Sequence, residues 1–179
     1  MKIRENIPNM LTLTNMALGI NAILISINGD SINSLMIASL LIILAAIFDR
    51  YDGKLARFLN VESELGKQLD SLSDLISFGV APIIVTWKLN LFNIGLIGYM
   101  VAIVFVLCGA FRLARYNILD IKDKCIGLPI TIAGVILALN SLFQCAVFEM
   151  CNEMYLLFTV ILSLLLSILM VMKFEIRKV

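Results

Sequence analysis

Histidine is missing altogether from these 179 residues. That absence removes imidazole bases, His-containing triads and His-ligated zinc together, and leaves proton transfer to carboxylates, Lys, Tyr or Cys. Proline is scarce, at three residues, and tryptophan occurs once. Charge is thin as well: 15% of the chain is Asp, Glu, Lys or Arg, and the signs nearly cancel to +1. Without a basic surplus there is no field with which to hold nucleic acid. The four cysteines, Cys108, Cys125, Cys145 and Cys151, show no C-x-x-C spacing. They read mostly as small core residues, and spacing alone does not support a Cys145–Cys151 bridge.

What is abundant is apolar surface. Hydrophobic residues make up 61% of the chain and mean hydropathy is +1.00, whereas soluble domains are roughly half apolar. A helix crosses a bilayer with about 20 apolar residues, and six runs qualify, at roughly 8–28, 33–57, 67–88, 91–116, 126–148 and 154–173. Barrel strands would alternate rather than run continuously, so the expected fold is an all-α integral membrane protein of six transmembrane helices. The first run is long and no small-residue cleavage site with a polar sequence follows it, so it is expected to remain as a span. No linker or low-complexity stretch divides the chain, and one membrane domain over residues 1–179 is expected. Pro82 is expected to bend the third span, and Pro8 to sit in the first turn of the first.

Basic residues alternate between joints. Lys2 and Arg4 precede the first span, Arg50, Lys54, Arg57 and Lys67 surround the second joint, and Arg112, Arg115, Lys122 and Lys124 fill the fourth. Lys173, Arg177 and Lys178 close the chain, while the other joints hold only Lys88. The positive-inside rule therefore puts both termini and the second and fourth joints in the cytoplasm.

Against that background stand Asp49, Asp52, Asp70 and Asp74, two pairs on consecutive hydrophobic runs. Charge at membrane depth is costly and usually functional. At about 100° per residue, Asp52, Gly53, Ala56 and Arg57 all fall within about 80° of Asp49. Two carboxylates, two residues with almost no side chain and one guanidinium thus line a single strip, with room for a bulky group against the backbone. Gly66, Asp70, Ser73, Asp74 and Ser77 share an arc of about 100° on the next helix. Antiparallel packing of the two spans brings the strips together. Four carboxylates in one place repel strongly unless a cation holds them, and an all-oxygen ligand set favours Mg2+ or Mn2+. Two ions suit four shared carboxylates and would clamp attacking and leaving oxygens in phosphoryl transfer. The plainer reading has each aspartate solvated and paired with Arg50, Lys54, Arg57 or Lys67; it does not explain matched faces beside a glycine and an alanine. A divalent-metal channel would also use intramembrane carboxylates, but these cluster at one face and no polar trail continues through the outer halves. A non-catalytic assembly subunit rests only on Gly95 and Gly98, which lack a G-x-x-x-G repeat.

Residues 49–74, D-R-Y-D-G-K-L-A-R followed by Gly66, Asp70 and Asp74, resemble the CDP-alcohol phosphatidyltransferase signature D-x2-D-G-x2-A-R-x8-G-x3-D-x3-D at every fixed position. The stretches Ile7–Asn15 (I-P-N-M-L-T-L-T-N), Cys108–Asn117 (C-G-A-F-R-L-A-R-Y-N) and Gly127–Pro129 (G-L-P) are similar to the serine-accepting branch of that family. The resemblance implies a six-span homodimer in the cell membrane. There the phosphatidyl group of a CDP-linked lipid, CDP-diacylglycerol or its archaeal analogue, passes to the hydroxyl of L-serine and CMP leaves. It implies Asp49, Asp52, Asp70 and Asp74 as ligands of two Mg2+ or Mn2+ ions, with Asp74 also the general base. It implies that Gly53 and Ala56 admit the cytidine diphosphate, Arg57 holds its phosphates and Gly66 allows close helix approach.

Asn9, Thr12 and Asn15 follow one another at near-helical spacing on the first span. They are candidates for contact with the nucleotide, or for holding helices together. Arg112 and Arg115 carry the two-pronged donor geometry that suits the carboxylate of serine, or else meet lipid headgroups as positive-inside residues. Tyr116 and Asn117 are candidates for orienting the acceptor. Glycerol 3-phosphate remains the main rival acceptor, since its phosphate also suits two arginines, and inositol phosphate is another.

Overall fold

Helix α1 (Ile3–Asn28) runs antiparallel to α2 (Ile32–Leu59) over most of its length. The computed structural model describes residues 3–29, 31–59, 61, 63–119, 124–147, 153–173 and 175–177. Small residues let the two backbones approach: Ala22, Ala38 and Ala45 are all fully buried. Such side chains are the usual contact surface between helices in lipid, where packing rather than water exclusion drives association. Pro8 lies in the second turn of α1, not the first as expected, because the helix starts upstream at Ile3.

Ser63 opens the next span in extended conformation, its Oγ accepting the Gly66 N–H at 3.0 Å, a hydroxyl cap on the first free amides. Helix α3 (Glu64–Asp74), a π-helical segment at Leu75–Val80 and helix α4 (Ala81–Leu89) follow without a break. At Pro82, where a bend is expected, the helix passes from π-helical to α-helical geometry between Val80 and Ala81. Proline offers no N–H to the Phe78 carbonyl one turn back, and the Ala81 N–H instead reaches five residues back to Ile76. π-helical turns inside α-helices recur at functional sites, and this one begins next to Asp74.

A 3-10 turn (Leu91–Ile94) leads to α5 (Leu96–Leu119). Strand β1 (Lys124–Ile126) then precedes α6 (Ile130–Ala146), α7 (Glu153–Val171) and strand β2 (Glu175–Arg177). The two strands pair antiparallel with Cys125 opposite Ile176, a short ribbon that the all-α expectation did not include. Helix α6 packs against α2 and α4, and α7 lies along α5.

Among the described residues, five helical spans, Ile7–Asn28, Ile32–Leu59, Glu64–Leu89, Leu96–Ile118 and Met154–Val171, are long and apolar enough to cross a bilayer. This is a multi-pass membrane protein. The run expected over 126–148 yields a helix of only 17 residues, Ile130–Ala146, or about 25 Å against a hydrocarbon core of about 30 Å. It begins late because the preceding G-L-P segment does other work. Gly127 has φ +73°, and a Cβ there would meet the Met170 carbonyl at 2.7 Å and the Met172 carbonyl at 2.9 Å. The Leu128 N–H donates to Leu169 O and Arg115 Nη1 donates to Val171 O, each at 3.0 Å. The last carbonyls of α7, which lack helical donors, are thus clasped by the end of α5 and the start of α6. Gly127→Ala combines left-handed strain with a backbone clash and is expected to destabilise the fold by about 1–3 kcal/mol. A melting temperature in detergent equal to that of the parent protein would contradict this.

At the end of α4 remote from Asp74, Asn90 and Gln144 exchange two amide hydrogen bonds, and the Thr86 and Ser141 hydroxyls pair at 3.1 Å. No periodicity in the chain foretells this buried polar cluster. It is neutral and ties α4 to α6. Lys88 donates to the carbonyls of Ile27 at 3.1 Å and Gly29 at 2.8 Å, where a cation complements the carboxyl end of α1. The single exception to the charge asymmetry therefore has a local structural use. Cys145 is a free thiol buried on α6 and Cys108 a free thiol on α5; Cys151 lies outside the described residues, as does the side chain of Cys125.

Candidate active site

Asp49 and Asp52 stand three residues apart on α2, Asp70 and Asp74 four apart on α3, so each pair shares one helix face. One carboxylate oxygen from each of Asp49, Asp70 and Asp74 lies within 4.8 Å of the other two. Asp74 Oδ1 is buried and has no hydrogen-bond partner among the described residues. A buried carboxylate oxygen without a donor is unfavourable as it stands, and a hard cation is the ligand that an all-oxygen cluster of this kind would take. The trio therefore fits a divalent ion.

Asp52 does not join that trio. It is 3% exposed, and its Oδ2 accepts the Thr12 hydroxyl at 2.8 Å while its Oδ1 faces the Gly53 N–H. The expected cluster of four thus resolves into three converging carboxylates and a fourth held by α1. Thr12 also lies 3.1 Å from the Pro8 carbonyl, and its single proton serves one acceptor at a time.

The position of α1 follows from α3. Ser73 and Ser77 are fully buried and donate to the carbonyls of Thr12 and Asn15, both at 3.0 Å. Gly19 makes room for this approach: a Cβ there would lie 2.5 Å from Ser77 Oγ and 2.7 Å from its Cα. With α1 seated so, Asn15 turns its amide to Asp49, Nδ2 to Oδ1 at 3.5 Å. Asn9 lies beside Gly66, where a Cβ would come within 3.1 Å of Asn9 Oδ1. The residues of α1 read as nucleotide contacts or helix glue thus include two that hold aspartates. Sequence reasoning placed Ser73 and Ser77 on the acidic strip without a role; their spacing beside Asp70 and Asp74 was the available signal.

The remaining candidates separate. Among the described residues, no atom beyond its chain neighbours and its own stretch of helix comes within 4 Å of a Cβ built on Gly53, so the surface beside Asp52 is open there. Arg57 is exposed, its Nε donating to the Gly53 carbonyl at 3.0 Å. The side chain of Ala56 lies outside the described residues. On α5, Asn117 donates to Ser71 Oγ at 2.9 Å, tying that helix to α3 beside Asp70. Arg112 is buried, at 7% exposure. Arg115 reaches the end of α7 and lies 5.9 Å from the Phe111 ring centroid. Its partners belong to the clasp and not to the carboxylate trio.

The family model for CDP-alcohol phosphatidyltransferases matches residues 5–173. The chain is 36% identical over 136 residues to the CDP-diacylglycerol–serine O-phosphatidyltransferase of Bacillus subtilis, covering 75% of each protein. It is 42% identical over 131 residues to the enzyme of that name from Methanocaldococcus jannaschii, with 73% of this chain and 58% of the relative aligned. To the archaetidylserine synthase of Methanothermobacter thermautotrophicus it is 41% identical over 133 residues, with 72% and 54% aligned. The chain therefore spans three quarters of the Bacillus protein and little more than half of the two archaeal ones. Since the family match runs from residue 5 to residue 173 and is not confined to the aspartate strip, the chain belongs to the CDP-alcohol phosphatidyltransferase family.

Proposed function

We propose that this protein transfers the phosphatidyl group of a CDP-linked lipid to the hydroxyl of L-serine and releases CMP. The observation that carries the reading is the convergence of Asp49, Asp70 and Asp74, together with a buried oxygen of Asp74 that finds no hydrogen-bond partner among the described residues. The names of the relatives supply the serine and the lipid. Asp49, Asp70 and Asp74 would hold one Mg2+ or Mn2+ ion, and a second ion would draw on Asp52. When bound, the cation supplies positive charge against the pyrophosphate and the departing CMP.

The chain's own residues do the rest. The open surface at Gly53 admits the cytidine diphosphate, and Arg57, one turn on, is placed to meet its phosphates. Asp74 accepts the proton of the serine hydroxyl as that oxygen attacks the lipid-side phosphorus in line with the leaving CMP. No covalent enzyme intermediate is needed. Arg112, buried on α5, is assigned the serine carboxylate. Six crossings, with α6 the short one, place both termini and the aspartates at the cytoplasmic face; the basic residues at 50, 54, 57 and 67 support that orientation. The family resemblance adds a homodimer.

The test is CMP release by the purified full chain with CDP-diacylglycerol, Mn2+ or Mg2+, and one acceptor at a time. Serine alone should support it; release with glycerol 3-phosphate or inositol phosphate instead would reassign the acceptor. In the same assay Arg112→Ala should raise the KM for serine roughly 10- to 100-fold, the range for one lost hydrogen bond to a charged group, with little change in KM for the lipid. Equal effects on both would make Arg112 a structural or general phosphate-binding residue.

A further inference from the structure

Two of the three polar side chains singled out on α1 touch aspartates, and the more deeply enclosed of them carries an inference beyond the ligand set. Asn15 has no exposed surface. Its Nδ2 faces Asp49 Oδ1 at 3.5 Å, its backbone carbonyl accepts from the Ser77 hydroxyl at 3.0 Å, and its own Oδ1 has no hydrogen-bond partner among the described residues. One residue thus joins α1, α2 and the π-helical segment next to Asp74. A buried amide half satisfied and half orphaned is unfavourable as packing alone; an apolar side chain of the same size would fill the space without stranding an oxygen.

We propose that Asn15 is a positioning residue for the cation site. Its amide fixes one oxygen of Asp49 so that the carboxylate presents its other oxygen to the space shared with Asp70 and Asp74. An amide is suited to this task because it donates a hydrogen bond without adding charge. A lysine or arginine there would neutralise the trio and compete with the cation; an aspartate would add repulsion. Outer partners that orient a ligand in this way typically alter metal affinity by 10–100-fold when removed. The inference rests on the reading of the trio as a cation site.

The experiment is a Mn2+ titration of the full chain in detergent, followed by the EPR signal of free Mn2+, with no substrate present. Asn15→Leu keeps the branched shape and removes the donor, and the smaller Asn15→Ser fits the same space should the leucine variant not fold. Each is expected to weaken Mn2+ binding by about tenfold or more while the melting temperature without metal stays within a few degrees of the parent. Unchanged Mn2+ affinity in either folded variant would overturn the assignment, as would a loss of affinity matched by a collapse of the metal-free melting temperature in both. Asp49→Asn is the control. If it too leaves Mn2+ binding unchanged, the cation reading of the trio fails; if it abolishes binding while the Asn15 variants do not, only the positioning role fails.

Discussion

Asp74→Asn is expected to lower turnover by at least about a thousandfold, since a general base alone accounts for 10²–10⁴ in rate and this residue is also assigned as a ligand. The substitution preserves shape, so the packing of α3 against α1 should survive. Its amide group can neither take the proton of the serine hydroxyl nor offer a second anionic oxygen to the space shared with Asp49 and Asp70. The variant should still bind CDP-lipid, because Gly53 and Arg57 lie on a different helix. Metal-free melting should not fall, as removing one of three crowded like charges relieves repulsion. Turnover and lipid binding measured on the same preparation separate these effects. Near-normal turnover in the variant would refute the base assignment.

The aspartates were legible because helical geometry is local. Spacings of three and four residues put Asp49 with Asp52 and Asp70 with Asp74 whatever surrounds them, and a short link between two spans forces antiparallel packing. That logic brings the pairs near each other but cannot rank the members. Asp52 turns to Thr12, forty residues earlier in sequence, and only the seating of α1 decides this. That seating depends on Gly19 passing against Ser77 and on two serine hydroxyls reaching backbone carbonyls. Contacts of this kind leave no periodic trace. At the fifth span, apolar run length found the helix but not where it starts. Residues 126–148 are apolar almost throughout, yet Gly127 with its left-handed backbone and Pro129 at the cap of α6 start the helix at Ile130. The proline of the third span gave warning of a local irregularity; the six-residue π-helical form followed from the structure. Arg112 and Arg115 looked equivalent in sequence, but three residues on a helix is enough for one to be buried in α5 and the other to hold the end of α7.

Removing divalent metal is expected to abolish CMP release, and the four aspartates should not contribute equally to its return. A chelated preparation should regain activity on addition of Mn2+ or Mg2+, with Ca2+ a poor substitute because it prefers more ligands at longer distances than this compact trio offers. In Mn2+ titrations without substrate, Asp49→Asn and Asp70→Asn should each weaken binding of the first ion by well over tenfold. Each removes one of only three converging anionic oxygens, leaving a buried ion under-compensated. Asp52→Asn should alter that first binding event much less, since its carboxylate lies outside the trio and is already engaged by Thr12 and the Gly53 amide. Its effect should appear instead when CDP-lipid is present. There a loss of turnover with first-ion affinity retained would mark Asp52 as the ligand recruited with the substrate's phosphates. Equal loss of first-ion affinity in all four variants would mean that the metal-loaded site draws Asp52 into the trio before substrate arrives, and the division drawn between three ligands and one would not survive.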